Sequence, residues 1–147
     1  MTTSGIDPRG PRFTASVTLV VFTVALLLSD AATTAAAVLT GVQAVLFAIG
    51  AGLGVQKTPT GLFFRSVIRP RLSPPDELED PAPPRFAQAV GLVFAVVATL
   101  GFATGAVLLG QVFAGFAFVA AFLNAVFGFC LGCELYLVGA RLRSRPA

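Results

Sequence analysis

Near the C-terminus, the segment Phe122 to Tyr136 (FLNAVFGFCLGCELY) holds both cysteines of the chain, Cys130 and Cys133, with Glu134 beside them. A lone acid inside an apolar run is costly, which marks the segment as a candidate site. Residues three apart on a helix share a face, so the two thiols can converge on one point. Thiols so placed can exchange disulfides, accept sulfur as a persulfide, or give half of a metal site. Two thiolates and a carboxylate leave tetrahedral zinc one ligand short unless a second subunit contributes, and any metal stays unknown. The alternative is that the cysteines are small packing residues and Glu134 snorkels or pairs with an arginine. The chain has no histidine, so imidazole chemistry is excluded, and no cofactor motif is present.

The scaffold around this motif is a membrane one. Of 147 residues, 56% are hydrophobic and 12% charged, against about a quarter charged in ordinary globular chains. Four long apolar runs stand out: Phe13 to Leu28, Ala35 to Val55 and Phe86 to about Leu108, all uncharged, and about Gln111 to Val138, whose one charge is Glu134. Each is long enough, or nearly so, to cross roughly 30 Å of hydrocarbon, and the last exceeds that need. A net charge of +3 does not imply nucleic acid in a chain built from such runs.

The first run, with basic residues before it and Asp30-Ala31-Ala32 after it, also has the outline of a signal peptide. An internal repeat argues against that reading. Asp7, Pro8, Pro11, Arg12 and Phe13 reappear 73 residues later as Asp80, Pro81, Pro84, Arg85 and Phe86. One further residue of shift aligns Gly41, Val45, Ala51 and Gly54 with Gly115, Val119, Ala125 and Gly128. The expected fold is an all-α integral membrane protein whose four transmembrane helices form two parallel-repeat helical hairpins, each opened by D-P-x-x-P-R-F. Residues 1–12 precede the first hairpin at 13–55, a loop fills 56–85, the second hairpin occupies 86–138, and 139–147 form a basic tail.

Glycine pairs at Gly50/Gly54, Gly101/Gly105 and Gly128/Gly132 predict close helix packing and leave room for a homo-oligomer. In the loop, Phe64, Val67 and Ile68 share one helical face and Arg65 and Arg69 another, the pattern of a short interfacial helix. A proline-rich, acidic linker follows from Ser73 to Pro84. Gln43, Gln88, Gln111 and Asn124 are expected to make interhelical hydrogen bonds, and Tyr136 to anchor at the lipid interface.

The basic residues fall in three places: Arg9 and Arg12; Lys57, Arg65, Arg69, Arg71 and Arg85; and Arg141, Arg143 and Arg145. With four spans these regions share one side, and the positive-inside rule makes it the cytoplasmic side of the cell's inner membrane, with both termini there. The cysteines then lie near the cytoplasmic end of the fourth helix, in a reducing compartment that disfavours a permanent disulfide. At a helix C-terminus, the dipole and Glu134 both oppose a thiolate, so activation needs a cation, for which Arg12 and Arg85 are the candidates. Gly132 gives the helix room to loosen for a disulfide.

The blocks D-P-R-G-P-R-F at Asp7, F-R-x-x-I-R-P-R-L at Phe64, D-P-x-P-P-R-F-A-Q at Asp80 and C-L-G-C-E-L-Y at Cys130 resemble the bacterial membrane proteins called domain of unknown function 4395. The resemblance spans nearly the whole chain. It implies a small four-span protein without an assigned activity, and an association with thioredoxin-like and sulfurtransferase proteins. The reading that follows is a membrane partner in thiol or sulfur redox, with Cys130 and Cys133 exchanging, Glu134 modulating protonation, and Arg12, Arg85, Asn124 and Tyr136 in support. The alternative is a non-catalytic structural or assembly subunit of a membrane complex. A small channel would need more polar residues at mid-membrane than the runs contain.

Overall fold

The computed structural model describes residues 5–145. The long helices are α1 (Arg9–Leu28), α2 (Thr33–Leu53), α4 (Ala82–Thr104) and α5 (Val107–Phe127), each long and apolar enough to cross a membrane. A short α3 (Pro59–Phe63) continues into a π turn at Phe64–Ile68 and a 3-10 turn at Arg69–Arg71. The amphipathic segment expected in the loop is therefore helical, with a change of winding at Phe64. The chain ends in α6 (Leu131–Ser144).

Both hairpins open in the same way, for a reason visible in D-P-x. The Asp7 carboxylate accepts the Arg9 N–H at 3.0 Å, and the Asp80 carboxylate accepts the Ala82 N–H at 2.9 Å. Each aspartate thus satisfies an otherwise orphaned donor at a helix start, while the following proline has no N–H to satisfy. Ile6 and Glu79, the residues before the two aspartates, pair through reciprocal backbone hydrogen bonds of 2.9 Å. This bridge joins one position to its own repeat counterpart, so it lies on the approximate two-fold axis.

The long helices form a ring in the order α1, α2, α4, α5, with antiparallel neighbours throughout. Packing is most extensive across the repeat boundary, between α2 and α4 and then, with α4 on α5, between α1 and α5. The core is built from Phe22, Phe47 and Phe102 with Ala36, Ala95, Ala98 and Ala114, whereas Leu27 and Leu108 face outward. Small residues inside and large ones outside suit helices that associate by close packing in lipid. At Gly101 an added Cβ would come within 2.5 Å of the Gly110 amide nitrogen, and this contact brings α4 and α5 together.

Polar residues tie the ring at several depths. Gln43 donates to Thr18 at 3.3 Å, Thr99 to Thr40 at 3.0 Å, and Gln111 to Ser29 and Asp30, each at 3.0 Å. Gln88 and Asn124 make no side-chain hydrogen bond among the described residues, against expectation: the Gln88 carboxamide lies against Gly50 of α2, and both residues are half-buried. The glycine pairs also differ from expectation. In each pair one member, Gly54, Gly105 or Gly128, has positive φ and stops a helix, leaving the other to pack.

Repeat-related arginines close the helix ends. Arg12 donates to the Ala125 and Val126 carbonyls at 3.2 and 3.0 Å; Arg85 donates to the Ala51 carbonyl at 2.7 Å and to that of Gly52. Ala51 and Gly52 are the counterparts of Ala125 and Val126 in the 74-residue alignment. Each half therefore caps the second helix of the other half. Arg12→Gln and Arg85→Gln are expected to lower stability by comparable amounts, about 1 kcal/mol each, with near-additive loss in the double variant. Thermal unfolding in detergent checks this, and an effect confined to one arginine would contradict the symmetric capping.

Asp7 also carries ion pairs, to Arg9 at 2.8 Å and to Arg69 at 3.9 Å. The Arg9 side-chain hydrogen bond holds its carboxyl below the ordinary range, with the Arg9 N–H and Arg69 adding and burial opposing. A depressed carboxyl contributes stability at neutral pH, and the contribution is lost as pH falls from the ordinary aspartate range through the lowered folded value. Across that window the melting temperature of Asp7→Asn should fall less steeply than that of the wild type.

Candidate functional site

The run expected to form one helix from Gln111 to Val138 is divided. α5 stops at Phe127 because Gly128 turns left-handed, with φ of 68°. The Gly128 N–H returns to the Asn124 carbonyl at 3.0 Å and the Phe129 N–H to that of Leu123 at 3.1 Å. With Arg12 on the next two carbonyls, the last turn of α5 has partners despite its apolar surroundings. A continuous apolar run gives no hint of this stop; the alignment of Gly54 with Gly128 does, since Gly54 ends the second run.

The chain then extends through Phe129 and restarts at Cys130, which is the N-cap of α6. Cys130 Sγ accepts the Cys133 N–H at 3.2 Å, and the Cys130 carbonyl accepts the Glu134 N–H at 3.0 Å. The cysteines are therefore at a helix N-terminus, which corrects the expectation of a C-terminal location. The consequences reverse in sign. The helix dipole now favours negative charge on Cys130, and Glu134, exposed in the first turn, is aligned with the dipole rather than against it. Arg141 and Arg143 in the last turn complete that alignment.

Cys130 and Cys133 are joined as a disulfide, with Cα atoms 5.2 Å apart. Arg12 approaches the loop but is committed to the α5 carbonyls; the nearest point of its guanidinium lies 3.7 Å from where a Gly128 Cβ would be. Arg85 is committed to α2 and does not join the cysteines. Tyr136 packs on Phe86 with ring centroids 5.8 Å apart, so it fixes α6 to α4. Among the described residues no three Cys, Asp or Glu side chains converge on a point that could hold a metal.

The first half contains the counterpart of this arrangement, displaced by 72 residues. Thr58 caps α3 by accepting the Gly61 N–H at 3.1 Å, as Cys130 accepts that of Cys133. Thr60 hydrogen-bonds Thr14 at 3.0 Å where Gly132 packs on Ala87, and Phe64 meets Phe13 where Tyr136 meets Phe86. The repeat is thus a three-helix unit, with α3 and α6 as its third members. Thr58 and Gly61 occupy the two cysteine positions in the first copy, a correspondence hidden at the corner itself, where 55–68 and 127–140 share no residue type, and marked only further on, where Arg69 and Arg71 align with Arg141 and Arg143.

Beside the disulfide a cleft of about 1280 Å³ runs into the bundle between α1, α4, α5 and α6. Cys130, Cys133 and Glu134 border its mouth with Arg12, while Gln88 and Asn124 line it from α4 and α5. Its inner end reaches Phe47, Phe94 and Phe116.

Docking of α6 depends on Gly132, where an added Cβ would lie 2.6 Å from Ala87 Cα. Gly132→Ala should cost about 1–3 kcal/mol, and Gly128→Ala about 1 kcal/mol from left-handed strain alone. Gly139→Ala, with open space around it, should be neutral or stabilising. Thermal unfolding of the three variants tests the docking; equal tolerance at 132 and 139 would contradict it.

No curated protein and no solved structure matches the chain. Residues 6–141 match the family described as "Domain of unknown function (DUF4395)", and the protein belongs to that family.

Proposed function

We propose that the protein is a membrane-embedded thiol–disulfide exchange partner in which Cys130 and Cys133 cycle between dithiol and disulfide. One observation carries this reading: the cysteines stand where the first repeat does the same structural work with Thr58 and Gly61. Capping and packing at this corner do not require sulfur, so a packing role leaves the two cysteines without a reason. Their location adds chemistry to that argument. An N-terminal helix dipole and the Cys133 N–H stabilise negative charge on Cys130, which makes it the nucleophile of the reduced form and Cys133 the resolving thiol.

In the exchange, a partner thiolate attacks one sulfur of the Cys130–Cys133 bond, and the other leaves as a thiolate. The partner's second thiolate then attacks the mixed disulfide. The partner departs as a disulfide, and the two cysteines take up protons as their reduced form is completed. Glu134, exposed in the first turn of α6, modulates those protonations. A thioredoxin-like protein has the required paired thiols. A sulfurtransferase carrying a persulfide would instead pass its outer sulfur to the Cys130 thiolate: the donor S–S bond breaks, the enzyme leaves as its thiolate, and Cys130 holds the persulfide.

The side of the membrane is part of the proposal. The basic residues cluster at the end of the bundle that carries α3, α6 and the linker, which makes that end cytoplasmic by the positive-inside rule. A pair that is reset by partners there would be held mostly reduced and oxidised on demand.

Differential alkylation with mass spectrometry, on membranes before and after oxidant treatment, should show a reversible change in both thiols. Reduced Cys130 should alkylate faster than Cys133 at neutral pH. A Cys133→Ser variant should trap a mixed disulfide on Cys130 with a soluble partner, which names that partner. Thiols that remain free and unmodified under oxidant, with a Cys130→Ser, Cys133→Ser protein that behaves normally, would leave the assembly-subunit reading in its place.

A further inference from the structure

Each repeat ends in an arm that lies against the second turn of its own first helix. In the first half the arm runs over 59–71, and its Thr60 and Phe64 meet Thr14 and Phe13 of α1. In the second half it runs over 131–143, and its Gly132 and Tyr136 meet Ala87 and Phe86 of α4. Both arms follow the glycine stop of a helix long enough to span hydrocarbon, so they lie at the end of the bundle, at the depth of lipid headgroups. Over the corner and most of the arm the two copies share no residue type, yet both arms close on the same pattern, Arg69 and Arg71 in one and Arg141 and Arg143 in the other.

Internal contacts do not account for these charges. Ion pairs among the described residues are confined to Asp7, which takes Arg9 and Arg69, so the acidic linker leaves Arg65, Arg71, Arg141 and Arg143 unpaired and exposed. The apolar side of each arm is also open. On α6 the residues turned away from Gly132 and Tyr136 are Leu131, Leu135, Val138 and Leu142, at helical spacing and all exposed. On the first arm Leu62 and Phe63 are exposed. Glu134 is the one acid on α6 and lies two turns from Arg141.

A cavity on the first arm points to the same chemistry. It has a volume of about 250 Å³ and is bordered by Lys57, Arg65 and Arg69, with Asp7 as its only acid among the described residues. Asp7 is already engaged by Arg9, so the cavity carries net positive charge with donors free for an anion.

We propose that the two arms bind anionic phospholipid, with their arginines on the headgroup phosphates and their exposed apolar faces on the acyl chains beneath. An apolar stripe beside arginines is the pattern of a helix that lies in the membrane interface. Phosphatidylcholine has a phosphate too, but its own cation cancels the charge, so the arms select anionic over zwitterionic lipid, and salt weakens the selection. This inference does not depend on the exchange reading. It bears on the cysteines through position: α6 begins at Leu131, directly after Cys130, and lipid held along α6 fixes the depth of the disulfide.

The test uses the full chain, delipidated in neutral detergent and titrated separately with phosphatidylglycerol and with phosphatidylcholine of the same acyl chains. Native mass spectrometry counts the bound lipid. Phosphatidylglycerol should bind about tenfold more tightly, with a preference that shrinks as the ammonium acetate concentration rises. Changing Arg65, Arg71, Arg141 and Arg143 together to Gln should abolish the preference, and changing the same residues to Lys should keep it.

Equal affinity of the wild type for the two lipids overturns the inference, as does a preference that survives in the Gln variant. Displacement of phosphatidylglycerol by inorganic phosphate at matched concentration also overturns it, because the arginines then form a site for free phosphate. A dimer that Leu135→Gln with Leu142→Gln splits, at unchanged lipid preference, overturns it as well, since the α6 stripe is then an interface between copies.

Discussion

The end of a helix inside or beside a membrane leaves carbonyls that water does not reach, and the structure depends on how these are satisfied. Two arginines do it, each from the opposite half. Arg12 spans the α1–α5 contact and Arg85 the α4–α2 contact, at positions that the repeat makes equivalent. Neither hairpin caps its own second helix, so neither half is complete without the other. This mutual capping spans the most extensive helix contact in the bundle, α2 on α4. It also explains why the arginine sits beside a proline at the helix opening: that is where the guanidinium meets the antiparallel neighbour's last turn.

The same cap creates the cysteine corner. Because Arg12, Gly128 and Phe129 satisfy the end of α5, the chain is free to leave the helix and start another two residues later. Without that stop the cysteines would lie in mid-helix, where every backbone N–H is committed to the carbonyl four residues back and none is free for sulfur. With it, Cys130 has an N–H directed at its sulfur and a helix dipole behind it. The two copies then diverge in one respect. The first copy keeps threonine at the cap and glycine three residues later; the second holds sulfur at both positions. Duplication gave the fold two equivalent corners, and only one of them contains redox-capable atoms.

Much of this was legible in the sequence, and for physical reasons. Uncharged runs of spanning length report helices in lipid because nothing else satisfies the backbone there. The D-P-x-x-P-R-F repeat reported two-fold organisation, whereas Arg12 and Arg85, expected as cations for the thiols, donate instead to the ends of α5 and α2. What stayed hidden was the break at Gly128. Hydropathy sees only the apolar character of Gln111 to Val138, which continues unbroken through the stop, and a GxxxG spacing is the same whether a glycine packs a helix or ends it. The deciding signal was conformational: Gly54, its repeat counterpart, stands at the end of a run. The interhelical hydrogen bonds expected of Gln88 and Asn124 are missing for a related reason, since a carboxamide bonded to a neighbouring helix and one merely packed beside it have the same sequence context.

Those two carboxamides also show why the cleft opens on the α1–α5 side. Their repeat counterparts are Ala15 and Gly50. Gln88 reaches across toward Gly50, where an added Cβ would clash with its side chain, so the α2–α4 contact closes by a long residue meeting a glycine. On the α1–α5 side the pair is Ala15 and Asn124, short against short, and both line the cleft. The symmetric frame set by the arginines therefore encloses an asymmetric interior. The space lies beside the corner that carries sulfur, whereas the threonine corner borders a far smaller cavity of about 250 Å³. Sulfur, open space and Asn124 share one side of a pseudo-symmetric bundle, and closing the α1–α5 contact with a larger residue at Ala15 would remove the space while leaving every cap in place.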